Sequence, residues 1–167
     1  MVTLATNPKV QHILSHIARA DFESARRRAK LSRVISLFSR KRLNLLSLRD
    51  LQAFANIEYY SYRGIEQVQV ACIVGSTDRY NDFDGSFYPS QAHTRERWER
   101  VDLAMLADAT LPPVELFKVG DMYFVKDGNH RVSVAKYRGV DFLDAEVIAL
   151  TPTPIKAYEI PQCCEAA

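Results

Sequence analysis

The stretch that most constrains this 167-residue chain runs from Val119 to Ala135 and reads Val-Gly-Asp-Met-Tyr-Phe-Val-Lys-Asp-Gly-Asn-His-Arg-Val-Ser-Val-Ala. Gly120-Asp121 is a two-residue turn, and Met122 to Val125 is a short apolar and aromatic run bounded by turn signals, which predicts a strand. Asp127-Gly128 breaks that run. From Asn129 the spacing becomes helical, with Val132 and Ala135 on one face and Gly139 where a helix stops. A strand, a glycine loop and a helix in that order aim the unpaired N–H groups of the first helical turn into the mouth of the loop. That is the geometry of an anion site.

Each residue of the loop brings its own chemistry. Gly128 has no Cβ, so a bulky anion can approach the backbone and the chain can take a positive φ. Arg131 carries a planar fork of donors that matches phosphate or carboxylate oxygens. His130 can donate, accept or carry charge near neutral pH, and Asp127 can hold a divalent ion or orient a hydroxyl. A plain strand-to-helix connection with a solvated His130 and Arg131 fits the same letters, because short phosphate-loop patterns also arise by chance.

Lys126-Asp127-Gly128-Asn129-His130-Arg131, after a strand and before Val132-Ser133-Val134-Ala135, resembles the signature loop of the ParB/sulfiredoxin superfamily over about residues 65 to 149. In ParB-type partition proteins the loop reads Gly-Glu-Arg-Arg, in sulfiredoxins Gly-Gly-Cys-His-Arg, and in free-serine kinases Asp-Gly-His-His-Arg, the spelling nearest to this one. The resemblance implies a nucleoside triphosphate, CTP or ATP, held with magnesium by Asp127, Gly128, Asn129, His130 and Arg131. Arg79 looks like the counterpart of an arginine that closes over the phosphates in ParB-type proteins; an ion pair with Asp82 or Asp84 is the other use for it. Asn129 stands where sulfiredoxins have their cysteine, so their repair chemistry is not expected here.

The remaining segments predict an α+β fold: a small mixed sheet with a β-hairpin and packed helices, preceded by a helical N-terminal extension. Ile65 to Val74 is strand-like, and Thr77 to Pro89 is a long polar-aromatic loop. Thr94 to Asp108 reads as a helix with Trp98, Val101 and Met105 along one stripe. Val114 to Val119 pairs with Met122 to Val125, and Phe142 to Leu150 closes the sheet. Thr151-Pro152-Thr153-Pro154 is not expected to continue a central strand. The chain therefore divides into a helical extension (1–60), the nucleotide domain (61–150) and an extended tail (151–167).

Charge follows the same division. Residues 1–60 hold eleven Lys or Arg against four acids, a balance of +7, and residues 61–167 hold eleven against sixteen, a balance of −5. Helical spacing from Val10 to Phe38 carries a cationic run of Arg26, Arg27, Arg28, Lys30 and Arg33, followed by Arg40, Lys41 and Arg42. These side chains are candidates for DNA phosphates or simply a solvated helix face, and the apolar stripe beside them can form a homodimer or dock on the domain. Cys72, Cys163 and Cys164 make no disulfide framework or zinc pattern, and Cys72 reads as a small apolar residue. No run is apolar and long enough for a membrane and no leader is evident, so a cytoplasmic protein is expected.

Two functions follow. The first is a nucleotide-binding regulatory module of ParB type, associated with DNA through its basic helices as transcriptional regulators and chromosome-partitioning proteins are. The alternative is an ATP- or ADP-dependent small-molecule phosphotransferase like the free-serine kinases, with Asp127 or His130 as the catalytic group acting on a substrate hydroxyl.

Overall fold

The computed structural model describes residues 7–36, 45–52, 55–78 and 81–154. A six-stranded mixed sheet runs through it, made of β1 (Leu46–Ser47), β2 (Ala55–Gln69), β3 (Ile73–Ser76), β4 (Val114–Val119), β5 (Met122–Asp127) and β6 (Phe142–Pro154). The spatial order is β1-β3-β5-β4-β6-β2. Four helices pack with it: α1 (Pro8–Ser36), α2 (Leu48–Gln52), α3 (Arg95–Leu106) and α4 (Asn129–Arg138). This is the α+β arrangement that the sequence predicts, with the hairpin in place. Val119 pairs with Met122 across the turn, where Gly120 takes φ 59°.

Alternation along the strands gives the sheet two apolar faces. Val114, Leu116, Val125, Ala145 and Val147 face the helices and join Phe22, Trp98 and Val132 in the main core. Val119, Met122, Phe124 and Leu150 form a smaller cluster on the other face with Leu48 at the start of α2. The long loop after β3 also packs inward. Phe83 and Phe87 are at most 1% exposed, and the turn between them is tied by Asp84, whose Oδ1 accepts the N–H groups of Ser86 and Tyr88 at 2.9 and 2.8 Å.

The expected boundary at residue 60 falls inside β2, and α1 shares the core of the domain. Ala18, Phe22, Ala25 and Ala29 are at most 1% exposed, and the three alanines let α1 approach α3 closely enough for Phe22 to reach Trp98, ring centroids 5.6 Å apart. β6 runs on through the prolines to Pro154, further than the sequence predicts. β4 pairs only as far as Leu150, so beyond that point β6 is bonded to β2 alone. A proline there costs no hydrogen bond on the open side. Cys72 is buried and disulfide-bonded, where the sequence reading takes it for a small apolar residue; Cys163 and Cys164 lie outside the described residues. Among the described residues no helix is long and apolar enough to cross a membrane.

Two outcomes follow from this packing. Phe22→Ala empties a fully buried site and should cost about 3–5 kcal/mol. Because α1 is part of the core, urea unfolding followed by helix and tryptophan signals should shift as one transition; two separated transitions would show an independent extension. Lys136, the second test, donates from Nζ to the Ile73 carbonyl at 2.7 Å beneath the Phe87 ring, and burial lowers its pKa from 10.5 to about 8. The folded state therefore binds fewer protons than the unfolded chain between those values, and stability should rise as pH climbs from about 8 toward 10.5. Lys136→Met should remove that rise, read as the urea midpoint against pH.

Candidate functional site

β3 and β5 are parallel, with Ile73 opposite Tyr123 and Ser76 opposite Val125. Their carboxyl ends therefore open at the same edge of the sheet, where ligands of open α/β sheets commonly bind. The Thr77 N–H donates to the Val125 carbonyl at 3.0 Å, which holds the start of the loop after β3 against β5. From Asp127 the chain turns through Gly128 and enters α4 at once.

Gly128 is the N-cap of α4, in the left-handed region at φ 102°, ψ 22°, with no side-chain cap. The close approach also calls for glycine, since a Cβ here would lie 2.8 Å from Val114 Cγ1 and 3.0 Å from Arg131 Nε. The Val132 N–H takes the Gly128 carbonyl at 3.0 Å. Among the described residues the N–H groups of Asn129 and Arg131 have no acceptor. The Asn129 side chain is 7% exposed, and its buried Oδ1 has no partner. An orphaned buried amide beside open helical N–H groups is costly unless something else meets it.

What it lines is a cavity of about 430 Å³ bounded by Asp127, Gly128, Asn129, His130 and Arg131 on one side and by Arg97, Arg100 and Val101 of α3 on the other. The loop expected from sequence is thus gathered at one place. Arg97 and Arg100 are not among the residues that the sequence points to. Their pattern reads as surface pairing, and Arg100 does pair with Glu96 at 2.7 Å, but exposed Arg97 has no ion-pair partner among the described residues. The signal available in the sequence was their spacing: three residues apart, they share a helix side that Trp98 does not occupy.

Two loop residues take roles other than those the sequence suggests. Arg131 Nη1 donates to the carbonyls of Pro112 and Pro113, both at 2.6 Å, and Nη2 to Asp127 Oδ2 at 2.6 Å. Its guanidinium fork holds the loop to the segment before β4 instead of standing open to an anion. Asp127 is 67% exposed and engaged on one oxygen, so action as a base through that oxygen requires the ion pair to open. His130 stands edge-on to Phe83, centroids 5.4 Å apart. Among the described residues no three His, Cys, Asp or Glu could share a metal; a magnesium ion at Asp127 would take its other ligands from phosphate and water.

The DNA candidates are spread around α1. Arg26 lies over Phe22, and Arg28 over Tyr88 and Tyr137, while Arg27, Lys30 and Arg33 are exposed. Arg40, Lys41, Arg42 and Arg79 lie outside the described residues.

Gly128→Ala should destabilise the protein by roughly 1–3 kcal/mol in urea unfolding, because the left-handed backbone and the contact with Val114 both oppose a methyl group. Gly64→Ala serves as the comparison. It has the strain of φ +86° but nothing within 4 Å of the new Cβ, and should cost less.

No protein-family model matches the chain, and no curated protein does. Among solved structures the sulfiredoxin from Arabidopsis thaliana is similar to 52% of this chain over 86% of its own length, at 14% identity and a TM-score of 0.40. A likeness at that level carries no argument about what the chain does.

Proposed function

We propose that the cavity between the β5–α4 turn and α3 binds the phosphate chain of a nucleotide. The observation that carries this reading is the convergence, around one cavity of about 430 Å³, of an uncapped helix N-terminus, Asn129 with its partnerless Oδ1, and Arg97 and Arg100. The helix end favours negative charge in its own right, and the two guanidinium groups lie across the cavity from it. Turned end for end, the Asn129 amide presents two donors in place of its oxygen, so it serves phosphate oxygens in one orientation and a ligand hydroxyl in the other. The volume lies in the range of about 300–1,000 Å³ typical of cofactor-sized ligands. The resemblance of the Lys126–Arg131 loop to nucleotide-holding loops is what selects a nucleotide among anions.

In this reading Arg131 is a strut. It holds Gly128 in its turn, and Arg97 and Arg100 meet the phosphates. CTP or ATP with magnesium is the expected form of the ligand, with Asp127 the one carboxylate of the loop near the ion. Binding alone is proposed. Association with DNA and phosphoryl transfer to a hydroxyl add nothing that the cavity requires.

Calorimetry and thermal unfolding with tripolyphosphate, ATP and CTP, with and without magnesium, test the reading. A ligand present at a hundred times its Kd should stabilise the native state by about 3 kcal/mol. Asn129→Asp, which keeps the side-chain shape and adds a negative charge, should abolish that stabilisation, and Arg97→Glu should weaken it about tenfold or more. Absence of any stabilisation by all three compounds would overturn the proposal.

A further inference from the structure

Five of the ten large apolar side chains exposed among the described residues lie on α1: Ile13, Ile17, Leu31, Val34 and Ile35, each 39% to 59% exposed. They are ordered. From Ile13 a stripe runs through Ile17, Ala20 and Arg27 to Leu31 and Val34 on the alternating four- and three-residue steps of a heptad pattern, whose remaining position, Ser24, is half-buried and hydrogen-bonded to Tyr137 of the domain. At about 100° per residue this seam lies on nearly the opposite side of α1 from Ala18, Phe22, Ala25 and Ala29, which the core already covers. α1 is about 43 Å long at 1.5 Å per residue, enough for four heptads.

Charge decides what kind of helix fits. α1 holds seven Lys or Arg against two acids, and both acids serve the domain: Asp21 meets Arg138 and Tyr137, and Glu23 meets Arg95. Its outer surface is therefore cationic without compensation from α1 itself. Arg26 and Arg28 rest on aromatic rings, but Arg27, in the middle of the seam, is exposed and has no partner among the described residues. A second copy of α1 would set cation against cation. A lipid surface would have to take Arg27 into the middle of its apolar contact, and duplex DNA would leave the aliphatic side chains in water.

We infer that the outer face of α1 docks an acidic amphipathic helix of another protein, one with heptad-spaced aliphatic residues and a carboxylate opposite Arg27. The surface is separate from the anion cavity and does not depend on it.

The probe is a labelled synthetic helix of about four heptads with Ile and Leu along its seam, Glu on its flanks and one Glu at the seam centre. It is titrated with the full chain by fluorescence anisotropy. Saturable binding should weaken with salt, fall about tenfold in Arg27→Glu, and return when the central Glu of the probe is exchanged for Lys. Ile17→Glu and Leu31→Glu change exposed positions, so they should abolish binding without lowering the thermal midpoint. The inference is overturned if a probe with the same seam and Lys flanks binds equally well, or if Arg27→Glu leaves affinity unchanged. It also fails if sedimentation shows a dimer that Leu31→Glu dissolves, or if duplex DNA or phosphatidylserine vesicles bind this face more tightly than the acidic probe.

Discussion

Trp98 ties three helices together at one point, and the rest of the structure is arranged around that junction. Fully buried, it stands edge-on to Phe22 of α1 at 5.6 Å and to Tyr137 of α4 at 5.5 Å, and its indole N–H donates to Ser133 Oγ at 2.9 Å. A buried indole without an acceptor would lose more than a kilocalorie per mole of what its area contributes, roughly 1–3 kcal/mol. Ser133, itself 0% exposed, supplies that acceptor from the middle of α4. With the Tyr137 contact and the Arg138–Asp102 pair, this hydrogen bond sets how α4 lies against α3. That relation brings the first turn of α4 opposite Arg97 and Arg100 and gives the cavity two walls.

A second set of contacts fixes α1. Asp102 is 0% exposed and accepts from Arg138 Nε at 2.6 Å, while Arg138 Nη2 reaches Asp21 of α1 at 2.9 Å. Burial pushes the Asp102 carboxyl above its ordinary pKa, and the guanidinium acts against that shift. Ionic contacts so placed are weak evidence for stability, because desolvation offsets much of their attraction. Their plainer effect is geometric. With Asp21 held between Arg138 and Tyr137, α1 is set in rotation about its own axis, and its heptad stripe is turned outward.

The local chemistry around Gly128 was legible because the letters that demand it are adjacent. A strand, a residue free to take positive φ and a helical repeat follow within a few positions, and the hairpin was equally plain from Gly120-Asp121. What the letters could not show is where an arginine spends its donors. Arg131 has the spelling of a phosphate ligand, yet it is bonded to Pro112 and Pro113, far away in sequence. Arg97 has the spelling of a surface charge and lines the cavity. Both differences come from packing between elements that no local pattern records. The length of β2 and β6 was hidden for the same reason. Prolines that forbid a central strand are harmless once β4 has ended, and only the register shows where it ends.

α4 touches both of the surfaces for which a role is proposed. Its first turn bounds the cavity beside α3, its middle accepts the indole hydrogen bond, and its last turn holds Asp21 through Tyr137 and Arg138. At ten residues it is about 15 Å long, a short rod. The packing that sets its first turn opposite α3 is thus the same packing in which Asp21 is held.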